Sequence, residues 1–174
     1  VLLHGDGQYA PECIPSLIEP IIKNEADVVF GSRMINKKDA LKGGMPLYKY
    51  FGNQILTAIQ NKLLGSNLHE FHSGYRIYSR KVIEKIPFQF NSNDFDFDTD
   101  IIIQIIDNNF RIKELSIPTF YGNEVCNVNG IKYAKNILKS TILSRIQRRA
   151  QLFYNPKFDY NDIFYDKTNF FSSH

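Results

Sequence analysis

Four short stretches of this chain place charged and polar side chains at spacings that could do chemistry. In the first, His4-Gly5-Asp6-Gly7-Gln8-Tyr9, a carboxylate sits between two glycines. Asp6 and Gln8 put two oxygen donors on one side of an extended segment. Hard divalent cations such as Mg²⁺ or Mn²⁺ take oxygen donors together with substrate phosphates. The same Asp6 could instead cap the helix that follows. In the second stretch, Gly31-Ser32-Arg33, the guanidinium suits bidentate phosphate binding. Taken alone, Arg33 also reads as a surface arginine in a loop. The third, Glu70-Phe71-His72-Ser73-Gly74-Tyr75-Arg76, packs a carboxylate, an imidazole, a hydroxyl and a guanidinium into seven residues. Loops of that kind serve polar ligands, although a lone histidine is more often hydrogen-bonded structure. In the fourth, Asp94, Asp96, Asp98 and Asp100 alternate with Phe95, Phe97 and Thr99. Acids there suit a helix N-terminus, or at least one could serve as a general base or orient a sugar hydroxyl.

Positioning these groups requires an α/β scaffold. Val1 to His4 reads as a buried strand. A helix is expected from Pro11 to Asn24, with Ile14, Leu17, Ile18, Ile21 and Ile22 at helical spacing. Pro20 should kink or shorten it. Ala26 to Gly31 reads as a second buried strand, which completes a βαβ unit and implies a parallel arrangement with a right-handed crossover. Asp6 and Arg33 would then emerge at the carboxyl ends of strands, where such sheets bind ligands. Asn36 to Met45 reads as a polar loop. A helix from Pro46 to Leu64 ends at Gly65. Gly74 to Tyr78 is expected as a strand, Arg80 to Lys85 as a short helix, Phe97 to Asn108 as a helix and Phe110 to Ile117 as a strand. Gly130 to Gln151 reads as an amphipathic basic helix. Beyond Asn155 a loosely packed linker is expected.

Composition bounds the function. The 174 residues are 43% hydrophobic and 22% charged, an ordinary globular balance. No run approaches the roughly 20 apolar residues of a membrane span. Cys13 and Cys126 cannot build a disulfide framework or a cysteine-rich zinc site, and a reducing, cytoplasmic setting is the simpler expectation. The net charge of +3 is uneven. Val125 to Phe158 holds seven bases and no acid, so the rest of the chain is mildly acidic. Such a basic arm suits an anionic lipid surface or an acidic partner, or is a solvated helix face. Nucleic acid fits poorly, because the bases share one helix without an aromatic-interleaved reading surface.

Together the motifs resemble the family 2 glycosyltransferases of the GT-A fold, in the branch of the dolichyl-phosphate mannosyltransferases and their bacterial polyprenyl-phosphate relatives. That family shows D-x-D-x-Q followed by Pro-Glu, here His4 to Glu12 with His4 in place of the first Asp. It shows Gly-Ser-Arg after a strand, here Gly31-Ser32-Arg33, and a base on the next helix, here Lys49. It also shows S-G-F/Y-R-x-Y, here Ser73 to Tyr78. The resemblance spans about residues 1–122. It implies that 1–124 is the C-terminal portion of a GT-A, Rossmann-like mixed sheet flanked by helices. The basic helix would be 125–154, and 155–174 a linker or the start of a following domain. The family's nucleotide-binding half precedes the metal motif, so the chain is expected to be an internal piece of a longer protein, inactive alone.

Carried over by position, the resemblance implies that Asp6 and Gln8 hold Mg²⁺ or Mn²⁺. Arg33, Lys49, Ser73 and Arg76 would bind substrate, the cations neutralising donor or acceptor phosphates. Glu70 matches an acidic position beside the sugar, and Asp96 or Asp98 would be the base for a hydroxyl acceptor. The implied reaction is metal-dependent inverting transfer from a nucleotide sugar to a polyprenyl phosphate in cell-envelope or glycan synthesis. The 130–151 helix would contact the inner face of the cytoplasmic membrane peripherally. Two other readings stay open: transfer to a saccharide hydroxyl in surface polysaccharide synthesis, and a catalytically degenerate binding module.

Overall fold

The computed structural model describes residues 1–5, 9–94, 96–118, 121, 129–150 and 155–159. A three-stranded sheet at its centre has the order β2-β1-β3. Strand β1 (Val28–Ser32) runs antiparallel to β2 (Arg76–Tyr78) and parallel to β3 (Ile112–Ser116). β1 is buried throughout, as a short apolar run between two neighbours should be. Its side chains alternate between two cores. Val28 and Phe30 pack with Val82, Ile86, Ile101 and Ile105, while Val29 packs with Leu17, Tyr75, Ile77 and Ile117. Each such side chain stabilises the fold by about 1.5–3 kcal/mol when fully buried.

Five expected helices are present. A 3-10 turn at Pro11–Cys13 leads into α1 (Ile14–Ile22), which covers one face of the sheet. Pro20 lies in its last turn, and its carbonyl accepts from the backbone N–H groups of Glu25 and Ala26, steering the chain into β1. The helix is thus shortened rather than continued to Asn24. Helix α3 (Leu47–Leu64) stops where Gly65 adopts φ +70°, a left-handed value that glycine takes without strain. Helices α4 (Arg80–Lys85), α5 (Phe97–Asp107) and α6 (Gly130–Ala150) follow, α6 packing on α3 and α5.

Four expectations change. Val1 to His4 is not a buried strand: Leu2 alone bridges Arg76, and Val1 is exposed. The bridge is antiparallel and β2 is antiparallel to β1, so this segment parallels β1 with β2 between them. The expected loop at 36–45 contains helix α2 (Lys37–Lys42), anchored by buried Ala40 against Met34 and Met45. One apolar anchor is too short a pattern to show a period. The buried side of α6 is Ile137, Ser140, Thr141 and Ser144, so no broad apolar stripe makes it amphipathic. Finally, residues 155–159 pack firmly. Phe158 enters the core, and Lys157 Nζ reaches the buried carboxylate of Asp100 at 2.6 Å.

Candidate functional site

The carboxyl end of β1 delivers Arg33 into the loop that joins α3 to β2. There Glu70 takes both ends of it. The backbone N–H and Nε of Arg33 each donate to the Glu70 carboxylate at 2.8 Å, and Nη2 makes a further ion pair. Nη2 also donates to the His72 carbonyl at 2.9 Å, and Nη1 to the Tyr121 hydroxyl at 2.7 Å. Asn53 on α3 donates to Glu70 at 2.7 Å. Glu114 on β3 accepts from the backbone N–H groups of His69 and Glu70, which fixes the loop. Burial works against ionisation of Glu70 most strongly, yet the adjacent Arg33 guanidinium and its hydrogen bonds hold the carboxyl below its usual range. Burial likewise opposes charge on Arg33, and Glu70 outweighs it.

A second guanidinium lies beside the first. Arg76 Nη2 donates to the Phe71 carbonyl at 2.9 Å, next in sequence to the carbonyl that Arg33 takes. Its Nη1 donates to the Asp98 carbonyl at 3.0 Å and lies 3.1 Å from Asp98 Oδ1, without an aligned hydrogen bond to that oxygen. The Phe30 ring lies 5.3 Å from the guanidinium carbon. Two buried cations and two carboxylates therefore surround the 70–76 loop. Burial beside both arginines pushes the His72 imidazole down to about 4, so it is neutral near pH 7. Its Nδ1 pairs with the Tyr133 hydroxyl of α6 at 3.0 Å, and its Nε2 is buried without a partner.

His4 lies on top of this loop. A Cβ on Gly74 would stand 2.2 Å from the imidazole, so the ring can rest there only because residue 74 has no side chain. His4 Nε2 is 3.9 Å from Asp98 Oδ2. The four acids of the 94–100 run are dealt to different tasks. Asp94 pairs with Lys132, Asp96 accepts from the Ser92 hydroxyl at 2.7 Å, and Asp100 is buried against Lys157. Asp98 alone of these faces His4 and Arg76, and it stays partly open to solvent.

The structure thus gathers Arg33, Glu70, Ser73, Arg76 and Asp98 at one end of the sheet. Ser73 is buried and accepts from the Tyr75 backbone N–H at 3.3 Å. Lys49 is half-buried at the edge, 5.5 Å from the Tyr121 ring centre, and so joins the cluster through the partner of Arg33. Asp96 turns away into its Ser92 contact. The Glu70 carboxylate is occupied by Arg33 and Asn53. Asp6 and Gln8, expected to hold metal, lie outside the described residues. Among the described residues no group of three or more His, Cys, Asp or Glu could hold an ion. The sequence reading did not include Asn53, Glu114, Tyr121 or Tyr133. Asn53 had a signal, because Asn53, Thr57, Gln60 recur at helical spacing on the inner side of α3. The tyrosines had none.

Comparison with known proteins decides the family. The profile of "Glycosyl transferase family 2" matches residues 1–87, half of the chain. The chain belongs to glycosyl transferase family 2. It is 32% identical over 121 residues to a UDP-N-acetylglucosamine–dolichyl-phosphate N-acetylglucosaminyltransferase of Methanococcus voltae, covering 70% of this chain and 47% of that one. It is 29% identical over 126 residues to the polyprenol monophosphomannose synthase of Mycolicibacterium smegmatis, covering 72% and 46%. A low-salt glycan biosynthesis hexosyltransferase of Haloferax volcanii is 31% identical over 121 residues, 69% of this chain and 28% of that one. The chain spans about half the length of the first two relatives and less of the third. The mixed sheet flanked by helices agrees with the GT-A architecture that the motifs implied. Among the described residues no helix is long and apolar enough to cross a membrane.

Proposed function

We propose that the protein containing this chain transfers a sugar, with inversion, from a nucleotide sugar to a polyprenyl phosphate during glycan or cell-envelope synthesis. One observation carries the reading: the Gly-Ser-Arg and Ser-Gly-Tyr-Arg motifs set two buried arginines on adjacent carbonyls of one loop, in a chain whose relatives are named for dolichyl and polyprenol phosphates. An acceptor phosphate oxygen attacks the anomeric carbon, and the bond to the nucleoside diphosphate breaks on the opposite face. The electron pair leaves on the diphosphate oxygen. An acceptor that is already anionic needs little help from a base, so charge stabilisation dominates.

In this reading Asp6 and Gln8 would hold Mg²⁺ or Mn²⁺, which would supply neutralisation of the leaving diphosphate. Lys49, the most accessible cation of the cluster, meets a phosphate directly. Arg33 and Arg76 are engaged internally by Glu70 and Asp98, so they set the field and hold the loop on which Ser73 and Gly74 approach the sugar. Glu70 is then a positioning residue. We take residues 1–124 as the C-terminal part of the transferase domain, working in the cytoplasm at the inner membrane face. A hydroxyl acceptor is the second reading, favoured by Asp98, a carboxylate that stays partly open to solvent beside His4.

Calorimetric titration of UDP- and GDP-sugars with Mn²⁺ into the full-length gene product, beside its Asp6→Ala variant, tests the donor site. Metal-dependent binding that the variant loses is the expected result. No binding by folded protein would overturn the reading. Transfer assays with polyprenyl phosphate against oligosaccharide then separate the two acceptors.

A further inference from the structure

The donors around the 70–76 loop are largely spent on the protein itself. Arg33 gives Nε and Nη2 to Glu70 and to the His72 carbonyl, and Nη1 to Tyr121. Arg76 gives Nη1 and Nη2 to the carbonyls of Asp98 and Phe71. The backbone N–H groups of Gly74 and Tyr75 go to the Tyr9 hydroxyl and to Ser73. His72 Nε2 differs from all of these, because it is buried and has no partner. Buried polar atoms are nearly always paired, so an orphan inside a cluster of charges requires an explanation.

Helix α6 sets the state of that orphan. Tyr133 lies in its first turn, which Asn129 caps by accepting from the backbone N–H groups of Ile131 and Lys132 at 3.1 Å. Charge holds the helix on the body, Lys132 on Asp94 and both Arg145 and Arg148 on Asp107. The Tyr133 hydroxyl is thereby kept 3.0 Å from His72 Nδ1, with the rings edge to face and their centres 5.7 Å apart. Burial holds the phenol well above its ordinary range, against the pull of Arg76, so it keeps its proton. The neutral imidazole also carries one proton. With that proton on Nδ1, the Tyr133 hydrogen and the Nε2 lone pair would both be unmet. With Tyr133 donating to Nδ1, the proton sits on Nε2 and only that N–H is unmet. One buried orphan costs less than two, so the second arrangement wins.

An unpaired N–H in this place selects its ligand. A cation is excluded by the guanidinium groups of Arg33 and Arg76, which together with burial already keep the imidazole unprotonated near pH 7. An apolar group would leave the N–H unmet. An anionic oxygen gains both the hydrogen bond and the field of the two arginines. We propose that His72 is a substrate-binding residue that donates from Nε2 to a phosphate oxygen, with Tyr133 as the positioning residue that fixes its tautomer. This rests on the phosphate-transfer reading of the site. The imidazole is partly exposed while Nε2 is covered, so the contact forms as the ring edge swings outward about its Tyr133 bond. The site then reaches beyond residues 1–87, which the family profile matches, into α6.

The test is a long-range proton–nitrogen spectrum of the imidazoles in the full-length protein at pH 7, with the His72 signal assigned by its loss in His72→Gln. Wild type should show a neutral ring protonated on Nε2, and Tyr133→Phe a mixture of tautomers. A wild-type ring protonated on Nδ1 overturns the proposal, and an unchanged tautomer in Tyr133→Phe overturns the role of Tyr133. UDP or GDP with Mg²⁺, and a short-chain prenyl phosphate, are then added separately. The ligand that moves the Nε2 proton downfield identifies the phosphate as donor or acceptor. Calorimetry should show that His72→Leu weakens this ligand roughly ten- to a hundredfold. His72→Gln, which keeps an amide N–H near the Nε2 position, should restore most of the affinity. A lower urea midpoint in His72→Leu with unchanged affinity of the folded protein would assign His72 to structure alone and overturn the proposal. Binding of either ligand with the His72 signal unmoved overturns the assignment and spares the phosphate reading. Folded protein that binds neither ligand overturns that reading and the assignment with it.

Discussion

Strand β1 has an ion pair at each end, built from similar groups in opposite settings. At its amino end Asp27 accepts from the backbone N–H and Nε of Arg111, at 2.9 and 3.1 Å, and stitches β1 to the start of β3. The Arg111 side chain is 48% exposed and also reaches Asn24. At the carboxyl end Arg33 meets Glu70, whose side chain is wholly buried. Asp27 is itself buried, but its partner stays half in water, so this pair desolvates one charge rather than two and costs less. A buried pair must overcome the desolvation of both charges, which hydrophobic replacements of the same volume would avoid. A fold that needed only a staple would use the first kind. The second kind stands where parallel sheets bind ligands, so its charges are better explained by what the site must do than by what the fold must hold.

The largest effect should come from breaking the buried pair on one side. Glu70→Ala leaves the Arg33 charge uncompensated in the interior and strips the acceptor from its Nε and backbone N–H and from the Asn53 amide. The expected loss is about 3–5 kcal/mol in urea unfolding. Removing both charges, as Arg33→Met/Glu70→Leu, should be less damaging than Glu70→Ala alone, while donor binding is lost. A double variant as unstable as the single one would show that the pair serves the fold, and the contrast with Asp27 would collapse.

His72 sharpens the same contrast through pH. Its folded value is held near 4 against an ordinary 6.5, so the unfolded chain binds a proton that the native chain refuses. Stability therefore declines as pH falls from about 6.5 to about 4 and levels off below. The full shift corresponds to something on the order of 3 kcal/mol. His72→Gln, which can still meet Tyr133, should flatten the urea midpoint across that window. An unchanged slope would mean that other groups carry the pH dependence.

Much of this scaffold was legible because its signals are local. The apolar run into β1, the helical spacing of α1, the glycine stop of α3 and the alternation of β3 each depend on neighbours in sequence. Errors arose where the partner is distant. Leu2 looks like a buried strand until β2 takes the place beside β1, and α2 rests on the single anchor Ala40. The site shows the same division. Arg33, Glu70, Arg76 and Asp98 are found from motif spacing. That Arg33 and Glu70 neutralise each other across 37 positions, or that Tyr133 of α6 reaches His72, is long-range packing that no spacing encodes.

The smallest effect should come from the half-solvated staple at the amino end. Asp27→Asn keeps the side-chain oxygen that accepts from the Arg111 backbone and leaves the Ser79 N–H bonded to the residue 27 carbonyl. The charge and the Nη2 hydrogen bond to the other oxygen go, and water solvates the Arg111 that remains. In the native chain the Arg111 hydrogen bonds hold the Asp27 carboxyl down to about 2, against an ordinary 3.8. Its contribution is therefore fully present above about pH 3.8 and lost as pH falls to about 2. Wild type and Asp27→Asn should differ modestly near pH 7, far less than wild type and Glu70→Ala, and converge near pH 2. Donor affinity should be unchanged, because the pair lies at the end of β1 away from the 70–76 loop. A loss of donor affinity in Asp27→Asn at full stability would place part of the site at the wrong end of the strand, and with it would go the division of labour between the two pairs.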